Sequence, residues 1–269
     1  IRGRHQYSFD NQLAEQINSE IIFNSKASYE QLLQEHSHVV MATGDASYAL
    51  KVNNFDEDVS VSIKGATVEG KFERFSVHVW LNNDLAPKGY CYLLPYSDTE
   101  ANIVIAVPDA TIPSEEGMDQ HWTKFYDAVC KELNQSLKVT DQFQITNYKI
   151  GLCQSARIGN TFFAGNCFGS IMPFLGFGQF QAILTGVYAA HDICGLGSYD
   201  KLTKPLRNSY QDSLILRRGL ETINNDMYDF IVSNLDGTLG EKIFSAGKHN
   251  PLKVMSYLLR PFIRKGPKY

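Results

Sequence analysis

Residues 160–193 read NTFFAGNCFGSIMPFLGFGQFQAILTGVYAAHDI. The stretch opens as a short apolar strand, breaks into a turn, passes a proline and two closely spaced glycines, and ends as an apolar helix. No charged residue occurs from Phe168 to Ala190. Three structures answer to that composition: a membrane span, a buried core helix, or a strand–loop–helix where backbone approaches a ligand. A span needs about 20 apolar residues, but Pro173, Gln179 and Gln181 interrupt this one and the glycines fracture its start. A buried helix accounts for residues 180–190 and leaves the proline and glycines unexplained. The third reading covers both. A loop feeding a helix that begins near Gly176 presents unpaired N–H groups and a positive helix end to an anion or an electron-rich oxygen. On this reading Gly176 and Gly178 lack side chains so that a ligand can lie against the backbone.

The chain around this stretch has 269 residues, 43% of them hydrophobic and 20% charged, with a net charge of −4. That suffices for one large or two modest domains. The slight negative balance offers no basic face, so no nucleic-acid partner is expected. Cys91, Cys130, Cys153, Cys167 and Cys194 are scattered and odd in number. They suggest neither a disulfide framework nor a metal site, and fit a reducing, cytoplasmic setting. No secretory signal is readable, and a mean hydropathy of −0.23 argues against several membrane spans.

Working outward, Phe9, Leu13 and Ile17 share one face of a helix expected over 9–22, and a second helix is expected over 29–36. HVVMATGD then supplies a short apolar strand over 39–42 that ends in Thr43-Gly44. From 59 to 107 the texture changes: VSVSIKG, TVEGKFERFSVHVWL, GYCYLLPY and ANIVIAVP read as antiparallel strands between turns. Trp122, Phe125, Val129 and Leu133 mark a helix over 118–135, and FQITNYKIG is a further strand. Beyond Gly195 the pattern is helical, with breaks expected at Pro205, Gly219, Gly237 and Pro251. The strands at Val39 and Phe162 are expected side by side in one parallel sheet, interrupted by the antiparallel insertion. This is an α/β nucleotide-binding layout with a second domain inserted.

PFLGFG, residues 173–178, resembles the Pro-x-x-Gly-x-Gly flavin motif of the flavoprotein family that includes geranylgeranyl reductases and aromatic-ring hydroxylases. The family's strand, Gly-Asp, loop and small-residue helix are matched around it, with Gly165-Asn166 at the Gly-Asp position. VVMATG is similar to the strand that ends the family's FAD domain before the inserted sheet. GYCYLLPY is similar to the reductase subgroup's Gly-Tyr-x-Trp-x-Phe-Pro, with Gly89, Tyr90 and Pro95 matching and Tyr92 and Leu94 replacing Trp and Phe. SFDNQLAEQ is similar to the family's R-x-x-F-D-x-x-L helix, with Gln6 at the arginine position.

The resemblance implies an FAD-binding Rossmann-like domain in residues 1–52 and 151–195, incomplete at its N-terminus. It implies an inserted antiparallel-sheet substrate domain over 53–150, followed by a helical region over 196–269. A glycine-rich βαβ segment of about 70–90 residues is expected upstream, judged from the ordinary length of such a unit. The implied cofactor is FAD, with contacts from Thr43, Gly44, Gly165, Asn166, Pro173, Leu175, Gly176, Phe177 and Gly178, backbone N–H groups near Leu175–Gly178 being the donors. Tyr90, Tyr92 and Pro95 are expected to wall a lipid-sized substrate cavity. The implied activity is hydride transfer through flavin N5, most like the reductases of isoprenoid or other lipid-like double bonds. NAD(P)H or a reduced carrier would supply electrons. A flavin monooxygenase or dehydrogenase on a smaller substrate, and a flavin-free binding or scaffold protein, remain as alternatives.

No side chain presents itself as an acid, base or metal ligand. His78, His121 and His191 fit packing or surface positions. Residues 248–269 carry Lys248, Lys253, Arg260, Arg264, Lys265 and Lys268 without an acidic residue, and Leu252, Met255, Leu258, Leu259 and Phe262 form an apolar side. Such a helix suits either packing on the domain or peripheral contact with anionic lipid.

Overall fold

The computed structural model describes residues 7–112, 114–235, 251–261 and 263. The chain divides into two compact units, residues 1–37 and 38–269. In the first, α1 (Phe9–Ala14) is capped by Ser8 and α2 (Tyr29–Glu35) by a capping box of Ser28 and Gln31. The helix expected over 9–22 stops at Ala14. Ile17 and Ile21 are exposed, so no apolar burial offsets the cost of holding two further turns.

The second unit contains two sheets. Its elements are β1 (Val39–Met41), α3 (Ser47–Lys51), β2 (Phe55–Glu69), β3 (His78–Trp80), β4 (Tyr90–Pro95), β5 (Glu100–Pro108), α4 (Glu115–Glu132), β6 (Lys138–Cys153), β7 (Arg157–Ile158), β8 (Thr161–Phe163), α5 (Gln179–Ile193), α6 (Tyr199–Leu220), α7 (Asn225–Leu235) and α8 (Pro251–Leu259). The small sheet has the order β1-β8-β7. Its β1 and β8 run parallel with Val40 opposite Phe162, as their shared apolar texture predicted. Phe162 and Phe163 are buried, and Phe162 meets Tyr199 edge-on at 5.3 Å.

The larger sheet, β3-β4-β5-β2-β6, is antiparallel throughout. The segment TVEGKFERFSVHVWL is not one strand: β2 ends at Glu69, and the charged residues after it form a loop before β3. Period-two alternation gives this sheet two apolar faces. Cys91, Leu93, Ile103 and Ile105 point to one face, where α4 covers them with Phe125 and Val129. The alternate residues Tyr90, Tyr92, Val104 and Ala106 point to the other, which α4 does not cover.

Helix α6 runs unbroken through Pro205, against expectation. The proline withholds one N–H from the helix, but Tyr199, Thr203, Leu206, Tyr210, Ser213, Leu216 and Leu220 form a buried stripe at spacings of three and four that holds it together. The helix does end after Gly219, and Pro251 opens α8; Gly237 lies outside the described residues. Among the described residues no helix is long and apolar enough to cross a membrane.

Phe125 lies fully buried between Trp80 and Trp122, with ring centroids at 5.4 and 6.1 Å. Phe125→Ala is expected to destabilise the fold by about 3–5 kcal/mol. Urea unfolding followed by tryptophan fluorescence measures it, since both neighbouring rings are indoles.

Candidate functional site

Parallel pairing of β1 with β8 carries two distant turns to the same end of the small sheet. Thr43-Gly44 follows β1 and Gly165-Asn166 follows β8. Asn166 Nδ2 donates to the Gly44 carbonyl at 2.7 Å across 122 residues of sequence, and to Tyr148 Oη at 2.7 Å. Tyr148 Oη in turn donates to the Gly44 carbonyl at 2.8 Å. Thr43 Oγ1 is spent on Asp45 O and Cys167 Sγ. Asn166 Oδ1 accepts from no described group and is left available. The backbone at Gly44 borders open space, with no atom within 4 Å of where a Cβ would stand.

Past this node the chain loops over residues 168–178. Several of its amides are committed inside the protein: Gly169 to Asn166 O, Met172 to Phe177 O, Gly176 to Met172 O, and Phe174 to Ser213 Oγ on α6. Leu175, Phe177 and Gly178 donate to nothing among the described residues. The amides expected to be bare over the whole loop are therefore bare at Ile171 and at these three positions near its end. Helix α5 starts at Gln179, three residues later than expected, with Gly178 as an N-cap that supplies no side-chain acceptor. The first-turn N–H groups of this 15-residue helix thus keep their positive end unsatisfied.

The glycines of the loop have a different cause from the one expected. Gly176 takes φ +71°, and a Cβ there would stand 2.7 Å from Tyr90 Oη. A Cβ on Gly178 would press on the Ser170 and Ile171 backbone at 3.0–3.1 Å. Both positions are thus constrained by packing within the protein.

At Gly176 the neighbour is Tyr90. It projects from β4 and donates its Oη to the Leu175 carbonyl at 2.8 Å, fastening the large sheet to the loop. Burial, reinforced by the neighbouring Tyr92 phenol and opposed by the Arg217 cation, pushes its pKa up to about 12. Tyr90 and Tyr92 stack at 6.3 Å. Together with Val61, Val104, Ile150 and Pro173 they line a cavity of about 170 Å3 between the uncovered sheet face and the loop. Tyr148 also lines it, so one wall of the cavity is continuous with the Gly44–Asn166 node.

Of the residues singled out in the sequence, Tyr90, Tyr92, Pro173 and Gly176 meet at the cavity. Thr43, Gly44, Gly165 and Asn166 meet at the node, and the Leu175 carbonyl is held at the cavity by Tyr90. Phe177 is 73% exposed. Pro95 is buried at the far end of β4, opposite Ala101, and does not line the cavity. Sequence reasoning missed Tyr148 and Arg217. Asn147, with φ +54°, sits where the β2–β6 register shifts, and this bulge aims Tyr148 at the node; an asparagine inside an apolar strand was its one visible signal. Of the basic tail, α8 is described: Ser256 is buried against Asp212 of α6, whereas Met255 and Leu258 are exposed. Lys248, Phe262, Arg264, Lys265 and Lys268 lie outside the described residues.

No family model and no curated protein matches the sequence significantly. Solved structures do match its fold. A geranylgeranyl bacteriochlorophyll reductase-like protein from Thermoplasma acidophilum superposes with a TM-score of 0.63 at 15% identity, over 82% of this chain and 57% of that one. The flavin-dependent halogenase CmlS gives 0.53 at 13% identity, over 83% and 49% of the two chains. A flavoprotein/dehydrogenase from Cytophaga hutchinsonii gives 0.52 at 12%, over 84% and 62%. The fold is the one that these structures share. The chain spans about half to three fifths of the length of these structures.

Tyr90→Phe deletes the bond to Leu175 and is expected to cost about 1 kcal/mol at neutral pH. The unfolded phenol ionises near 10.0 and the folded one near about 12. Stability contributed by the protonated phenol is therefore complete below pH 10 and is lost as pH rises from 10 to 12. The gap between wild type and Tyr90→Phe in urea unfolding should narrow across that window.

Proposed function

We propose that this chain forms the substrate-facing part of an FAD-dependent oxidoreductase acting on an apolar substrate. One observation carries the reading: the Gly44–Asn166 node and the three free amides of Leu175, Phe177 and Gly178 are joined to one apolar cavity by Tyr148 and Tyr90. The donor set fits the flavin end of FAD. Asn166 Oδ1 is positioned to accept from a ribityl hydroxyl, Gly44 lets the cofactor approach backbone, and the free amides with the start of α5 favour an electron-rich oxygen at the ring edge. Bound FAD supplies hydride transfer, and the protein supplies binding, orientation and electrostatics.

The chain's own residues then have defined tasks. Tyr90 holds the loop carbonyl of Leu175 toward the sheet, and the N–H of the same peptide, on Gly176, is turned to the Met172 carbonyl. The valines and tyrosines of the large sheet exclude water from the cavity and present an apolar surface to the substrate. NAD(P)H or a reduced carrier is the proposed electron source. The Gly-Tyr-x-x-x-x-Pro strand and the reductase-like neighbour support reduction of a lipid-like double bond. At about 170 Å3 the cavity is smaller than the roughly 300–1,000 Å3 usual for ligand pockets, so it takes one end of such a substrate rather than the whole.

The adenosine end of FAD needs further protein. β1 is an edge strand among the described residues, and Phe180, Ile183 and Val187 form an exposed apolar stripe on α5. A strand–helix unit paired to that edge is the proposed completion of the dinucleotide site.

Purified protein is expected to show the visible absorption of oxidised flavin. Gly44→Ala has room for its methyl in the protein alone, so it should unfold at the wild-type temperature yet lose flavin at least tenfold more readily on dialysis. Colourless wild-type protein that takes up no added FAD would overturn the reading.

A further inference from the structure

Arg217 projects from α6 into the cavity wall and is 4% exposed. Its Nε donates to Glu221 at 2.9 Å and its Nη2 to the Lys88 carbonyl at 2.6 Å. Its Nη1 meets no acceptor among the described residues. A guanidinium at a wall otherwise built from valine, isoleucine and tyrosine is costly to desolvate, and Nη1, which has no protein acceptor, is not sealed in but keeps accessible surface at the cavity. The two bonds that Arg217 does make fix the planar fork in place. Glu221 is shared with Arg218 at 3.0 Å, so its charge is divided between two cations. The Lys88 turn immediately precedes β4, where Tyr90 faces the same cavity, and this anchors the guanidinium relative to the aromatic wall.

We propose that the cavity recognises an apolar molecule carrying a carboxylate or carbonyl oxygen, which accepts from Arg217 Nη1 while the hydrocarbon packs on Tyr90, Tyr92, Val61 and Val104. The proposal rests on the reading of this cavity as the substrate site and narrows the substrate class to oxygen-bearing hydrocarbons. A purely hydrocarbon occupant leaves Nη1 without an acceptor, and a cationic one is repelled by the guanidinium. Arginine suits the task because its charge persists at any working pH and its fork directs the donor.

Benzoate, acetophenone, toluene and benzylamine are probes of a size the cavity admits, and they separate carboxylate, carbonyl, plain ring and cation. Titration of the full chain, followed by NMR of the lining methyl groups, should show benzoate or acetophenone binding at least tenfold tighter than toluene, with benzylamine weakest. The stronger of the first two identifies the oxygen. Arg217→Lys should reduce that preference to less than threefold while toluene binding stays as it was. Should Arg217→Lys fail to fold, Ala106→Leu fills the cavity with Arg217 intact and should abolish binding of all four. Equal binding of toluene and both oxygen-bearing probes, or a preference that survives Ala106→Leu, would overturn the inference. None of these titrations requires flavin, so the absence of flavin with the oxygen preference intact would remove the proposed function alone.

Discussion

The parallel pairing of β1 with β8 is the constraint from which the site is built. It aligns Val40 with Phe162 and thereby brings Gly44 and Asn166 into contact, although a complete antiparallel domain intervenes. Without that register the inserted sheet would have no fixed position relative to the loop that follows β8. With it, two phenolic hydrogen bonds join the backbone bond from Cys153 to the Phe168 carbonyl in holding sheet and loop together. Tyr148 fastens the node end and Tyr90 fastens the loop end, and the apolar cavity is the space left between them.

The same arrangement explains why the loop is half satisfied. Buried backbone amides ordinarily find partners, and Met172, Phe174 and Gly176 do so within the loop or on α6. Donation by Tyr90 to the Leu175 carbonyl turns that peptide's oxygen toward the sheet, and Leu175, Phe177 and Gly178 keep free donors at the mouth of α5. Protein packing sets the glycines, and the glycines leave the amides bare. The proposed site for an electron-rich oxygen is then made of backbone, with no acidic or basic side chain bonded to it among the described residues.

Much of this layout was legible in the sequence because hydrophobic period and turn residues are local signals. The parallel strands, the antiparallel insertion, α4 and the strand–loop–helix at 160–193 follow from them. The errors lie where tertiary contacts override local preference. Pro205 was expected to break α6, but seven buried side chains hold the helix across it. Residues 15–22 were expected to continue α1, but their isoleucines have nothing to pack on. Gly176 was assigned to a ligand when its space belongs to Tyr90, a residue more than eighty positions upstream. Tyr148 and Arg217 were missed for the same reason: a bulge aims one, with only Asn147 to mark it, and a helix register aims the other, and neither leaves a motif.

The central claim is that Leu175, Phe177 and Gly178 donate to a bound flavin whereas Gly176 donates to the protein. Amide hydrogen exchange resolved by residue, with and without added FAD, tests it most directly. Gly176 should be protected in both states, and the other three should exchange rapidly alone and slow markedly when FAD is present. Protection of those three without FAD, or exchange unchanged under conditions where flavin is bound, would contradict the account.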